Sequence, residues 1–420
     1  MTEQPPISLE SEVRSYSRSW PIEFDRALGA TLTSVDGREF IDFFAGAGTL
    51  NYGHNDPRLK QVLVDYLAGD RIVHSLDMFT PVRSEFLRTF ASTILEPRGL
   101  DYKVMFPGPA GTTATEAAVK LARKVTGRTN IVHFTDSFHG MTLGALAVTG
   151  NAKKRGGAGV PLGDATVLPF DGYLGEGVDT LELLERMLRD ASSGLDLPAG
   201  VIVETVQGEG GINCASVEWL QRLRELCTRY DLPLIVDDVQ MGCGRTGGFF
   251  SFEEAGIVPD IVAMSKSLSG FGLPMALTLL RSELDVWKPA EHNGTFRGFD
   301  LAFATAVETL RLFWSDDELA KSTAAKGEYA DGRFREIVAA HPEAGLSTRG
   351  RGLARGLVFP TGEQAGAVTA ECFERGLVVE TAGAQDEVVK LLPPLTIEDE
   401  QLARGLDIVA EATAKVIASA

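Results

Sequence analysis

The sequence predicts an α/β protein in which a large domain, built on a mostly parallel sheet, is joined to a smaller α+β domain. Short apolar segments alternate with helical stretches in the middle of the chain, the rhythm of βαβ units. The pattern changes near residue 320, and 420 residues are enough for two or three folding units with sizeable cores. The predicted strands of the parallel sheet are 103–106, 131–134, 200–204, 234–237 and 261–264.

The elements before this sheet are a hairpin and a helix. Asp36 and Gly37 supply the positive φ angles of a tight turn between two β-rich arms, so residues 30–43 are predicted to form a hairpin. A helix follows from Pro57, because apolar residues recur at helical spacing until Gly69.

Later elements complete the outline. Ser216 is a predicted N-cap for a helix that buries Cys227 among the apolar residues of one stripe. After residue 320 the predicted order is helix, strand 356–359, helix 367–375, strands 377–380 and 388–392, and a last helix after Thr396. We therefore expect residues 1–75 to contribute to the small domain, 76–320 to form the large domain, and 321–420 to form the rest of the small domain.

Composition and charge exclude several classes of protein. With 44% hydrophobic and 23% charged residues the chain is an ordinary globular protein, not a disordered one. The 58 acidic and 40 basic residues leave a net charge of −18, which repels nucleic acids and anionic membrane surfaces. The four cysteines lack CxxC spacing and no apolar run approaches a membrane span, so we expect a soluble cytoplasmic protein without a metal site.

The loop 108–116 precedes a predicted helix and is the first candidate for a binding site. Gly111 lets the backbone approach a ligand, and Thr113 and Glu116 have the spacing of a capping box. Free N–H groups at a helix N-terminus favour a phosphate. An ordinary capped turn would show the same residues.

Two further candidates stand at the ends of neighbouring strands. Asp237 and Asp238 close one strand, where a carboxylate could hold a cationic heterocycle; solvated loop acids or a magnesium site would show the same pattern. Lys266 follows the next strand, where a desolvated amine is a candidate for covalent catalysis, although a surface lysine is the simpler alternative.

A phosphate site, a strand-end carboxylate and a strand-end amine are together what pyridoxal phosphate (PLP) requires. At this point the sequence resembles the class III PLP-dependent aminotransferases over nearly its whole length. The motifs that carry the resemblance are FFAGAG (43–48), NYGH (51–54), FHG (138–140), ETVQGEGG (204–211), DDVQMGCGRTG (237–247), SKS (265–267) and GTF (294–296).

The resemblance implies PLP fold type I, whose large domain has a mostly parallel seven-stranded sheet, and it assigns roles to individual residues. Lys266 would bind the cofactor covalently and move the substrate proton, and Asp237 would pair with the pyridinium nitrogen. The other implied cofactor contacts are Gly111 and Thr112 to the phosphate, Phe138 and Val239 to the two ring faces, Gln240 to the 3-hydroxyl, and Thr295 from a neighbouring subunit of a homodimer or homotetramer. Phe138 and Val239 could also be simple core residues.

Within this family, the stretches 74–78, 98–104, 138–151, 156–161, 270–277 and 287–298 resemble the diaminobutyrate-forming branch that serves ectoine biosynthesis. This implies glutamate and aspartate 4-semialdehyde as substrates. Glu209 matches the acid that in relatives pairs with a cationic carboxylate binder, and Lys390 stands where that cation is often Arg. Because Met141 replaces an Arg of some glutamate-using relatives, Arg297 is proposed for the distal carboxylate; it could instead brace a dimer interface. Ornithine or 4-aminobutyrate aminotransferases, aminomutases, racemases and a non-enzymatic cofactor-binding protein are the alternatives.

Overall fold

The structure is a computed structural model that describes residues 9–419, so residues 1–8 of the predicted first segment lie outside the described part. Its central feature is a seven-stranded sheet, which is parallel except for Leu277–Arg281, antiparallel to both neighbours. This confirms the predicted fold class. In spatial order the strands are Tyr102–Met105, Leu277–Arg281, Ile261–Met264, Leu234–Asp237, Gly200–Val203, Ile131–Phe134 and Ala165–Leu168.

The sequence interpretation missed two of these strands. Ala165–Leu168 lies at the sheet edge and is only partly buried, so its apolar signal is weak. Leu277–Arg281 follows its neighbour without an intervening α-helix and therefore breaks the βα rhythm. The longer helices of the N-terminal three quarters are Pro57–Ala68, Pro81–Phe90, Gly111–Thr126, Leu181–Arg189, Val217–Arg229 and Asp300–Phe313.

Side chains cap helix starts at two places, one of them the predicted Ser216. Asp56 accepts a hydrogen bond from the Arg58 amide at the start of Pro57–Ala68, and the Ser216 hydroxyl accepts one from the Trp219 amide. Cys227 is fully buried, as predicted. Short helical segments are Tyr16–Ser19, Ala45–Gly48, Leu143–Ala147, Ala152–Arg155, the π-helical Ala91–Leu95, and the 3₁₀ turns Glu96–Arg98, Lys266–Ser269, Ser282–Leu284, Thr295–Arg297 and Pro342–Ala344.

A smaller unit contains two four-stranded sheets. One is antiparallel and is ordered Ser347–Arg351, Ala354–Val358, Val388–Leu391 and Glu380–Ala382. The other is ordered Phe24–Leu28, Thr31–Ser34, Glu39–Asp42 and Leu377–Val378, and it contains the predicted hairpin. Remaining elements are the helices Glu318–Ala340, Gly362–Glu374 and Asp399–Ser419 and the short pair Val206–Gln207 with Asn213–Cys214.

The N-terminal strands and the C-terminal part share one sheet. Leu377 pairs in parallel with Ile41, a contact between residues far apart in sequence. This pairing supports a contribution of the N-terminal segment to the small domain, although the boundaries 75 and 320 stay predictions. Among the described helices, none combines the length and hydrophobicity that a membrane crossing requires.

Arg245 is a buried link between the two units. Its guanidinium donates to the carbonyl of Leu353 at 3.2 Å, the carbonyl of Pro393 at 2.6 Å and Oδ1 of Asn51 at 2.6 Å. Burial lowers the pKa of Arg245 to about 9. The hydrogen bonds tie the loop after Leu234–Asp237 to Leu353 and Pro393 of the small unit.

Candidate active site

A cavity of about 260 Å³ opens at the C-terminal ends of the parallel strands, where ligands collect on such sheets. It brings together eight of the residues singled out from the sequence: Gly111, Thr112, Phe138, Glu209, Asp237, Val239, Gln240 and Lys266. His139, Gly140, Met141 and Glu204 complete its lining.

The helix that begins at Gly111 directs its N-terminus into this cavity. The predicted capping box is wrong, because the helix starts earlier: Ala110 is the N-cap, and the Thr113 hydroxyl contacts the Ala110 backbone. Glu116 instead accepts hydrogen bonds from the amides of Gly144 and Ala145 on the neighbouring short helix. The first amides of the Gly111 helix are thereby left for a ligand.

Gly111 packs against Val239 so closely that a methyl group at its Cα would lie 2.7 Å from Val239 Cγ1. We expect Gly111→Ala to weaken cofactor binding by about 1–3 kcal/mol, the usual effect of overpacking. Titration of the cofactor-free protein with PLP would measure this change in binding free energy. Gly366→Ala is the matched control, since, apart from its chain neighbours and its own helix backbone, no described atom lies within 4 Å of that added methyl group. Equal affinities for both variants would contradict this role of Gly111.

Asp237 and Asp238 point in different directions and do not share a site. Asp237 Oδ2 lies 2.8 Å from His139 Nδ1, and its Oδ1 accepts from the Val239 amide at 3.1 Å. An ionised carboxylate only accepts, so a charged Asp237 requires the Nδ1–H tautomer of His139 for this contact. Asp238 accepts from the Ser251 amide at 3.1 Å, and burial raises its pKa to about 7.

Lys266 occupies a strained position directly after its strand. Its φ is +52°, in the left-handed region that non-glycine residues rarely adopt. Enclosure of the ammonium group, assisted by the nearby positive charge of Lys390, lowers the pKa of Lys266 to about 8. The side chain therefore has the environment of a reactive amine.

The side-chain amide of Gln240 has hydrogen-bond partners at its nitrogen but none at its oxygen among the described residues. Its Nε2 donates to the carbonyl of Ala47 at 3.1 Å and to Glu209 Oε1 at 3.2 Å, while its buried Oε1 has no partner among the described residues. A buried acceptor without a donor is costly unless a ligand supplies one. This orphan oxygen suits the 3-hydroxyl of a bound pyridine ring.

Glu209 lies at the far side of the cavity between two lysines. Its Oε1 is 2.8 Å from Lys390 Nζ, and its Oε2 is 3.5 Å from Lys154 Nζ. Although burial opposes ionisation, these cations and Lys266 hold the pKa of Glu209 well below its usual range. Lys390 is fully buried, lies 3.0 Å from Glu380 Oε1 as well, and does not line the cavity.

Thr295 and Arg297 lie outside the cavity formed by their own chain. Thr295 is exposed on a short turn, and Arg297 donates to Asn293 Oδ1 at 3.0 Å. A role for either residue in this cavity requires that it come from another subunit. Their assignments stay predictions.

Sequence reasoning assigned no role to Glu204 or His139. Glu204 directly follows the strand Gly200–Val203, the same signal that singled out Asp237, and its Oε2 accepts from the Phe138 amide at 2.9 Å. Burial, with Asp237 nearby, raises the pKa of Glu204 well above its usual value. No sequence pattern indicated the contact of His139 with Asp237, because the two are 98 positions apart.

The lining fits PLP on structural grounds. The helix N-terminus at Gly111 suits the phosphate, the Asp237 carboxylate suits a pyridinium nitrogen, and the Lys266 amine suits the aldehyde. Phe138 and Val239 both line the cavity, where they could contact the ring faces.

Comparison with known proteins agrees with this site. The family model described as Aminotransferase class-III matches residues 13–413. A diaminobutyrate–2-oxoglutarate transaminase from Nocardia farcinica is 60% identical over 96% of this chain and 92% of its own length. A second diaminobutyrate–2-oxoglutarate transaminase, from Halomonas elongata, is 57% identical over 96% of this chain and 97% of its own length. An ornithine aminotransferase structure from Toxoplasma gondii superimposes with a TM-score of 0.86 at 26% identity. The superposition covers 98% of this chain and 94% of that one. The chain belongs to the class III aminotransferases, and its cofactor is PLP.

Proposed function

We propose that the protein transfers the amino group of glutamate to the aldehyde of aspartate 4-semialdehyde, producing 2-oxoglutarate and L-2,4-diaminobutyrate. The observation that carries this proposal is the 60% identity, over 96% of the chain, to a relative of that named activity, combined with an intact lysine–carboxylate site. Bound PLP supplies the electron sink for the carbon that loses its proton. We further propose that the product feeds ectoine synthesis in the cytoplasm.

The geometry supports the following roles for the chain's own residues. Lys266 would move a proton between the substrate carbon and the cofactor, and the Asp237 carboxylate, which contacts His139, would stabilise positive charge at the ring nitrogen. Gln240 accepts a hydrogen bond at its free Oε1. Phe138, held by Glu204 through its amide, would cover one face of the ring.

The purified enzyme, supplied with glutamate and aspartate 4-semialdehyde, should release 2-oxoglutarate and diaminobutyrate in equal amounts. Chromatographic quantification of both products tests this. Glutamate 4-semialdehyde and succinate semialdehyde, the acceptors of ornithine and 4-aminobutyrate aminotransferases, are the comparison substrates. A higher kcat/KM with either one would overturn the substrate assignment, and isomerisation without 2-oxoglutarate would overturn transamination.

The rate at which PLP combines covalently with the cofactor-free protein should rise with pH up to about 8 and then level off. Only the neutral amine of Lys266 attacks the aldehyde, so two pH units below the pKa the rate should fall about 100-fold. Stopped-flow absorbance would follow the reaction. A rate that keeps rising to the ordinary lysine pKa would contradict the depressed value.

We also propose that the enzyme is a homodimer or homotetramer in which Thr295 of one subunit approaches the cofactor phosphate of another. Phe79 is 96% exposed and Phe296 is 63% exposed, an unfavourable state for large apolar side chains near a predicted shared site. The segment that contains His74 and Phe79 is next to the one that contains Phe296, since the ring centres of His74 and Phe296 are 5.1 Å apart. Light scattering should give at least twice the mass of one chain, and an active monomer would refute the proposal.

A further inference from the structure

The two lysines beside Glu209 differ in their access to a substrate. Lys390 is fully buried on the strand Val388–Leu391 and already balances two carboxylates, those of Glu209 and Glu380. Although burial opposes its charge, those carboxylates raise the pKa of Lys390 above its ordinary value. A substrate carboxylate would be the third anion around one ammonium group. Lys390 is therefore better suited to hold the two glutamates than to bind substrate.

Lys154 has the opposite environment. Its side chain is 33% exposed, and its Nζ lies 3.5 Å from Glu209 Oε2 and 4.0 Å above the centre of the Phe138 ring. Both of those residues line the cofactor cavity. The Lys154 amide is fixed by Asn151 Oδ1 at 3.0 Å, which caps the short helix Ala152–Arg155. An anchored, accessible ammonium group thus stands next to the cofactor cavity.

A second, polar pocket of about 490 Å³ adjoins the cofactor cavity, with Glu209 lining both. Arg14, Tyr16, Lys153 and Lys154 are among its lining residues. A substrate whose reacting carbon lies in the first cavity could extend its other end towards this pocket. Its charged lining residues are three cations and three acids: Arg14, Lys153, Lys154, Glu209, Glu380 and Asp386. Because the buried Lys390 already pairs with two of these acids, Glu209 and Glu380, an anionic end can be accepted beside Lys154.

Both substrates of the proposed function present such an end. Glutamate reacts at its α-carbon and carries its side-chain carboxylate at the distal end, whereas aspartate 4-semialdehyde reacts at its aldehyde and carries its α-carboxylate there. We infer that Lys154 binds the distal carboxylate in both half-reactions, taking it in place of Glu209. This inference rests on the proposed function, and it makes Lys154 a specificity-determining residue that sequence reasoning overlooked.

Binding of a dicarboxylate that cannot react tests the inference directly. Glutarate should bind to the holoenzyme, and Lys154→Met should raise its calorimetric dissociation constant about 10-fold or more, the effect of losing one charge-assisted pair. Butyrate, which lacks the second carboxylate, should bind equally to both proteins. Lys154→Arg should restore most of the glutarate affinity. Lys60→Met is the control, because Lys60 is exposed on the helix Pro57–Ala68, lines neither cavity and has no ion pair among the described residues.

Single-turnover kinetics provide the second measurement. Lys154→Met should slow the reaction of the holoenzyme with subsaturating glutamate about 10-fold or more, but leave the reaction with norvaline, which has a methyl group in place of the distal carboxylate, unchanged. Equal effects on glutamate and norvaline, or the same loss in Lys60→Met, would overturn the inference. A selective loss in Arg297→Ala but not in Lys154→Met would transfer the role to Arg297. Neither assay uses aspartate 4-semialdehyde, so failure of that acceptor in the product assay remains a separate result.

Discussion

Replacing Lys266 by alanine is expected to lower kcat by at least about 10³-fold, because the variant loses both the covalent attachment of the cofactor and the group that moves the substrate proton. Enclosure of the Lys266 amine lowers its pKa to about 8, so that the neutral, nucleophilic form is accessible near neutral pH. Its left-handed backbone, held by the turn Lys266–Ser269, positions it at the cavity. Steady-state product formation would give the rate.

Lys266→Arg is the appropriate comparison for this variant. Arginine keeps the positive charge but remains protonated and cannot attack the aldehyde. If charge alone mattered, the arginine variant would retain activity. Borohydride reduction followed by dialysis adds a readout independent of turnover: cofactor should remain attached to the native protein and be lost from both variants. Retained cofactor in Lys266→Ala would assign the covalent bond to another amine.

Replacing Asp237 by asparagine is expected to lower kcat by about 10²–10³-fold, the range for removing one electrostatic contact to a developing charge. The amide has nearly the same shape but no negative charge to stabilise a protonated ring nitrogen. It can still accept a hydrogen bond from His139, which currently contacts Asp237 Oδ2 at 2.8 Å. The loss should therefore fall mainly on the chemical step and much less on folding.

Asp238→Asn provides the control for that substitution. Asp238 is also buried but faces away towards Ser251, and its pKa of about 7 means that the neutral form is readily populated. We expect near-native kcat in this variant. The absorption spectrum of the bound cofactor, recorded as a function of pH, separates the two variants further. An electrostatic role of Asp237 predicts a shifted spectrum only in Asp237→Asn. Equal activities of the two variants would contradict the assignment.

Several features of the molecule follow from local chemistry and were predictable for that reason. Asp56 and Ser216 cap helices because their side chains reach backbone amides two or three residues away. Asp237 and Lys266 reach the same cavity because the carboxyl ends of parallel strands lie at one edge of the sheet. Such relations depend on short-range periodicity and on the topology of βαβ units.

Other features depend on distances that no local pattern encodes. The Thr113–Glu116 spacing is compatible with a capping box, but tertiary packing starts the helix at Gly111 and turns Glu116 towards a different helix. Lys390 stands in the sequence position of a carboxylate binder, yet Glu380 on the adjacent strand balances its charge. These outcomes were decided by which strands pair and by which charges are buried together.

The sequence by itself determined the fold class, the strand-end residues proposed for cofactor binding and the resemblance that names the family, since each is carried by local spacing or by contiguous motifs. Only the tertiary structure decided how charge is distributed around Glu209. It placed Lys390, 181 positions away, beneath that carboxylate and left Lys154 accessible beside it. Electrostatic roles depend on burial and on through-space distance, so identical residue types at these two positions acquire opposite surroundings.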